Sequence, residues 1–287
     1  MRKHCRRRIE GLVLACALFA VLPVCFLIAG SFMGEGELTL QLGGILGQGE
    51  DYAKLFLFPL YPTLRAYVEI LLDTPEFFVM FWNTGKITLG ILCGQMLFGI
   101  PAAWGLARYS FPLKKTVIWL YIALMLMPFQ VLMLSDYLVL KELNLLDSHL
   151  GLIFQGAFST FPVFLMYRFF AGIPEEIVEA GRLDGAGAWG LFFHIGLPLG
   201  KSGIFSAMVL GIPESWNMIE QPLAFLKTKS LWPLSILLPE IEEGSVGFAF
   251  AVSVLTFLPV FLVFLNGEEY LEQGIEASHV KKEEVRG

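Results

Sequence analysis

The chain has 287 residues, 56% of them hydrophobic and only 16% charged, with a formal net charge of −6 and a mean hydropathy of +0.67. Soluble domains run nearer about 45–50% apolar and ~25% charged, so the composition excludes an ordinary soluble domain and points to a membrane protein. No clustered basic patch invites nucleic acid, Cys5, Cys16, Cys25 and Cys93 have no CxxC spacing, and His4, His149, His194 and His279 have no metal-ligand spacing.

A membrane span needs about 20 apolar residues to cross ~30 Å of hydrocarbon with its backbone hydrogen bonds satisfied internally. Residues 1–10 carry five Lys and Arg and lead into an uncharged run over 11–33. That run is longer than the ~7–15 residues of a cleavable signal core, so it reads as a retained first span. An external segment follows over 34–76, where the apolar run 55–60 and the break Tyr61-Pro62 are too short and interrupted to cross. Further spans are expected over 77–107, 116–138, 150–171, 200–222 and 245–266, making an all-α membrane protein of six transmembrane helices. The fifth is interrupted by Pro213, Glu214 and Glu220. An external loop over 223–244 and a tail over 267–287 complete the division.

Six spans place both termini on one side, and the positive-inside rule says which. The segments 1–10, 108–115, 168–201 and 266–287 carry fourteen Lys and Arg, against five in 34–75, 139–149 and 223–244. Both termini are therefore expected in the cytoplasm, as is the segment 172–199.

That segment is no plain linker. Pro174 suits a first helical position, and Glu175 and Glu176 complement the positive end of the helix dipole, so a short helix is expected from Pro174 to about Leu183. Asp184-Gly185 supplies a turn, Gly by taking positive φ and Asp by accepting from the amides of the next helix. In that second helix Trp189, Phe192 and Phe193 stand at i, i+3 and i+4 on one apolar face, and Leu197-Pro198 should end it. The face either packs against the protein's own spans and the lipid interface or docks a partner.

The string EAGRLDGAGAWGLFFHIGLPL over Glu179–Leu199 closely resembles the EAA loop of binding-protein-dependent permeases. Glu179, Ala180, Asp184, Gly185, Ala186, Ile195, Leu197 and Pro198 stand at motif positions. Gly181 replaces the usual second alanine, a change expected to loosen the first helix by about 0.5–1 kcal/mol, and Ser202 follows Lys201 where proline is common. YPTLRAY, WNTGKIT, AAWGLARYSFPLKK, LMPFQVLMLSDYLVLKELNLLDS and EYLEQGIEASHVKK extend the resemblance to the maltose-type, carbohydrate-uptake permeases. The C-terminal segment departs from the commoner basic, glycine-rich ending.

The resemblance implies the permease fold of a type I ATP-binding-cassette importer in a bacterial inner membrane. It also implies partners: a second homologous permease, a cytoplasmic ATPase dimer that uses ATP and Mg, an external solute-binding protein and a sugar solute. The sequence contains no GxxxxGK[ST] phosphate loop, so no cofactor is expected on this chain and no catalytic residue is assigned.

Glu214 falls mid-span, where a charge costs about 2.5–3.5 kcal/mol on insertion scales and so should face a bundle interior or a watery path. With Trp216 to stack and Asn217 to hydrogen-bond, it forms a candidate solute pathway; the alternative is a proline kink with its polar residues tied to neighbouring helices. An importer of peptides or polyamines is a second reading. An ion-coupled secondary transporter is a third, although matched broken repeats and paired intramembrane carboxylates are not apparent in the sequence.

Overall fold

A computed structural model describes residues 2–42, 58–237 and 246–284, with side chains described over 11–42, 58–237 and 246–270. Every regular element among the described residues is helical. In chain order these are α1 (Arg2–Ser31), α2 (Glu35–Leu42), α3 (Arg65–Val68), α4 (Pro75–Gly94), α5 (Ile100–Arg108), α6 (Lys114–Leu126), α7 (Phe129–Glu142), α8 (His149–Ala157) and α9 (Thr160–Gly172). They continue with α10 (Glu175–Leu183), α11 (Ala188–Leu191), α12 (Leu197–Trp216), α13 (Glu220–Phe225) and α14 (Val246–Glu284). Single π turns at Glu69–Asp73, Gln95–Gly99 and Phe192–Gly196 adjoin α3, α5 and α12.

Among the described residues five helical stretches are long and apolar enough to cross a membrane: Gly11–Ser31, Pro75–Arg108, His149–Gly172, Ala188–Trp216 and Val246–Tyr270. The third expected span, over 116–138, is not straight. α6 and α7 meet at a bend of 106°, because Pro128 cannot continue a helix and holds Met127 extended at ψ 127°. Two other boundaries also move. α12 stops at Trp216, so 217–222 lie beyond that helix, and α14 runs on through Glu284, into the range 267–287. Half of the run 55–60 lies outside the described residues, as do all of 238–244 and the side chains from Leu271 onward.

Two compact units make up the fold. The first comprises Met1–Phe78 with Leu237–Pro259. In it Met33, Leu38 and Val246 form a small core, and Gly30 lets the Phe250 ring approach so closely that a Cβ would sit 2.7 Å from it. Phe26 meets the same ring edge-on at 5.6 Å. Residues 11–25 of α1 are exposed, as suits a helix whose solvent is lipid.

The second unit comprises Val79–Ile236 with Val260–Gly287 and holds the larger cores. One joins α5, α9, α10, α11 and α12 through residues that include Ala103, Trp104, Val163, Met166, Phe170, Val178, Leu191, Phe192 and Ile204. Helices close up on glycines there, as membrane helices do when small residues let backbones approach. A Cβ at Gly196 would meet the Trp104 ring at 2.9 Å, at Gly200 the Phe170 ring at 2.2 Å, and at Gly203 Phe169 at 2.4 Å. At 3.6 residues per turn these three positions share one stripe of the helix. A second core, around Ile87, Ile91, Leu152 and Phe225, lies under the segment 226–236. Buried Asn83 donates to the carbonyls of Ser230 (2.8 Å) and Trp232 (3.1 Å), and the Thr84 hydroxyl accepts from Leu234 N (2.7 Å). These bonds moor that segment, whose regular structure is two single 3-10 turns at Lys229–Leu231 and Leu234–Ile236.

Candidate functional site

The loop between α9 and α12 begins at Pro174. It is the extended N-cap of α10 (φ −57°, ψ 138°) rather than its first helical residue, and Glu175 and Glu176 occupy the first turn. Arg108, at the end of α5, holds this entry in place. Its Nη2 donates to the carbonyls of Phe170 (2.6 Å) and Ile173 (2.5 Å) at the C-terminus of α9, and its Nη1 donates to Glu175 Oε2 at 2.8 Å. The guanidinium also lies 5.6 Å from the Trp104 ring centroid, and the side chain is only 5% exposed. One cation thus adds bonds to two carbonyls at the negative end of α9 and pins the next helix.

The chain reverses at Gly185, whose φ of +84° is left-handed. Gly185 N donates to Arg182 O and Ala186 N to Gly181 O, both at 3.0 Å. That pair of bonds is a Schellman motif closing the C-terminus of α10. The expected Asp184 cap is therefore a correction: the N-cap of α11 is Gly187, with no side-chain bond, and the backbone makes the turn by itself.

The aromatic stripe divides. Phe192 is 7% exposed and joins the core beside Trp104, with centroids 6.1 Å apart, whereas Trp189 is 71% and Phe193 53% exposed. Trp189 and Phe193 stack on each other at 6.0 Å. Leu183, 89% exposed, and Ile177 are also outward, while Val178 and Leu191 are buried. Glu179 and Ala180 are exposed, Ala186, Ile195 and Leu197 half-buried. Gly181 is occupied rather than loosened: a Cβ there would meet Ile195 Cδ1 at 2.6 Å and Leu191 Cδ2 at 2.9 Å. The two short helices close on each other through that space.

Leu197-Pro198 does not end the second helix. The π turn Phe192–Gly196 runs into α12 without a break, and Pro198 lies in the first turn of α12. A proline there removes an amide that an uninterrupted α-helix would use, and an i→i+5 turn just before it relaxes that register. The loop is thereby fused to a span.

The second constellation is a cleft of about 680 Å³ lined by parts of α4, α6, α7, α8, α9, α12 and α13, within the usual range of small-molecule sites of ~300–1,000 Å³. Glu214 lines it. Trp216 does not: two positions on, it falls on another face of α12, buried edge-on to Phe81 at 5.7 Å. Asn217 lies beyond the helix, donates to Pro213 O at 3.1 Å, and is also absent from the lining. Asp136 is the second carboxylate in the wall and accepts from Gln155 Nε2 at 2.6 Å. Gln95, at the start of a π turn, donates to Gly156 O at 2.9 Å.

The sequence model of the family described as binding-protein-dependent transport system inner membrane component matches residues 95–277, a stretch that contains the loop, the glycine stripe and all of the cleft lining but Ile91. The chain belongs to this family. Its members are membrane components of transport systems, without a catalytic role, and the EAA motif is a feature of the family. The arabinooligosaccharides transport system permease protein AraQ of Halalkalibacterium halodurans is 27% identical over 268 residues, 92% of each chain. The sn-glycerol-3-phosphate transport system permease protein UgpE of Yersinia pestis is 28% identical over 208 residues, 71% of this chain and 74% of that one. A bacterial ABC transporter involved in the import of the acidic polysaccharide alginate has the same fold, with a TM-score of 0.75 at 23% identity over 92% of this chain and 96% of that one.

Two residues that matter in this permease escape sequence reasoning. Arg108 reads as one of several positive charges after the second span, and its bonds reach more than 60 positions along the chain. Asp136 sits at the edge of an apolar run and looks like a terminus charge. Only the break at Pro128 turns its helix into a cleft wall. The available signal is Pro128 inside the expected span 116–138.

Proposed function

We propose that the chain is a permease subunit of an ATP-driven importer for a sugar or oligosaccharide, and that the 174–198 loop transmits ATPase motion to the spans. The observation that carries this is the division of the loop. Val178, Leu191 and Phe192 key it into the core, while Ile177, Leu183, Trp189 and Phe193 stay exposed. A loop packed only against the protein's own spans would have turned both sets inward. Exposed apolar anchors on a rigid short helix are what a groove on a partner needs, and the fusion of α11 to α12 through the π turn gives motion a stiff route into a span.

The partners that complete this reading are a cytoplasmic ATPase dimer using ATP and Mg, a second homologous permease and an external solute-binding protein. Fourteen Lys and Arg against five support both termini and the loop on the cytoplasmic side of a bacterial inner membrane. The oligosaccharide name of the AraQ relative supports a sugar, while UgpE is named for a phosphorylated polyol. The test is co-purification of the chain with an ATPase subunit, followed by ATP hydrolysis in proteoliposomes containing the binding protein. The expected result is hydrolysis stimulated by the binding protein's sugar ligand. A chain that purifies without an ATPase, or hydrolysis indifferent to any solute, contradicts the reading.

A further inference from the structure

We infer that the 680 Å³ cleft is a charge filter: it admits neutral and cationic solutes and rejects those bearing carboxylate or phosphate. The inference rests on the reading that solute crosses through this subunit, and names the class of solute that the passage accepts.

Among the described residues the ionisable ones lining the cleft are Asp136 and Glu214, and no Lys, Arg or His is among them. They come from different helices, α7 and α12. Gln155 fixes the Asp136 carboxylate through a 2.6 Å hydrogen bond, so the charge is held in the wall and cannot swing into bulk water. Much of the remaining lining is Phe, Met, Leu and Ile, and apolar walls concentrate the field of the charges they surround. An anion entering would lose its hydration with no cation in the lining to replace it, which is the costly case for charge in a low-dielectric site.

A neutral polyhydroxylated solute meets no such barrier. Gln221, Ser159 and Thr160 add amide and hydroxyl groups to the lining beside the two carboxylates. Phe154 and Phe158, with ring centroids 5.1 Å apart, offer apolar faces.

The test uses thiol labelling of the full chain in its assembled complex, with Cys5, Cys16, Cys25 and Cys93 replaced by alanine and a single reporter, Ser159→Cys or Gln221→Cys. Modification rates are compared for the cationic trimethylammonium-ethyl and the anionic sulfonatoethyl methanethiosulfonates, each normalised to a free thiol in solution. The expected preference for the cation is roughly tenfold or more, the lower end of what a like-charged cleft produces. It should collapse toward one when Asp136→Asn and Glu214→Gln are combined. A normalised ratio of one or less before neutralisation overturns the inference, as does a preference that survives it. Failure of both reagents to reach either cysteine overturns it too. Because labelling needs no transported solute, its outcome is separate from solute-stimulated ATP hydrolysis, the readout of the transport reading.

Discussion

Arg108 does three things with one guanidinium: it caps α9, pairs with Glu175 and covers the face of Trp104. Hydrogen bonds to a charged group are worth about 1.5–3 kcal/mol, and Arg108→Ala is expected to cost that much, seen as a lower melting temperature of the purified chain in detergent. Arg108→Lys should recover only part of it, since an ammonium cannot fork between carbonyls and carboxylate. The glycines give a second contrast. Gly200→Ala drives a Cβ into the buried Phe170 ring, and such overpacking costs about 1–3 kcal/mol. Gly181→Ala meets only the movable ends of Ile195 and Leu191 and gains about 0.5–1 kcal/mol of helix propensity, so it should stay within about 1 kcal/mol of the parent in the same measurement. At this scale the sequence was legible where backbone chemistry decides, as at Gly185. It was not legible for Phe192 and Phe193. Consecutive helical residues stand about 100° apart, so one can face the core and its neighbour the outside within a single apolar stripe.

Elements depart from their sequence patterns where a local break is absorbed by tertiary contacts. Hydropathy marks 116–138 as one span, yet Pro128 makes it two arms, and Gln155 bonds the second arm through Asp136. Leu197-Pro198 looks like a helix end, yet the preceding π turn carries the helix through it. The link between α7 and α8 shows the same dependence on distant partners. Asp147, at φ +53°, accepts from the Thr228 hydroxyl (2.6 Å) and from the amides of Thr228 (2.9 Å) and Lys227 (2.8 Å). The Thr228 hydroxyl most of all, then the two amides, holds its carboxyl below the usual carboxylate range. A depressed folded pKa means that the clamp's contribution is complete above the unfolded value, near pH ~4, and is lost as pH falls through the folded one. Hydrogen-exchange protection of the Lys227 and Thr228 amides should therefore hold constant down to about that pH and fall below it. In Asp147→Ala, which has no side-chain acceptor, it should be low throughout.

At the scale of the whole molecule the fold class was open to reading from composition and run lengths alone, because a backbone in lipid has so few ways to satisfy its hydrogen bonds. The cleft was not. It is assembled from seven helices, and neither Asp136 nor the exclusion of Trp216 is visible until the helices are packed. The central claim is that the loop has an inner face for folding and an outer face for coupling. It is tested most directly by solute-stimulated ATP hydrolysis in the reconstituted complex, measured alongside membrane insertion for Trp189→Asp and Phe192→Ala. Trp189→Asp should insert normally and lose stimulation. Phe192→Ala should lower the amount of folded chain by the cost of a buried aromatic, about 3–5 kcal/mol, with the folded fraction still stimulated. Normal stimulation in Trp189→Asp, or loss of its insertion, would contradict the account.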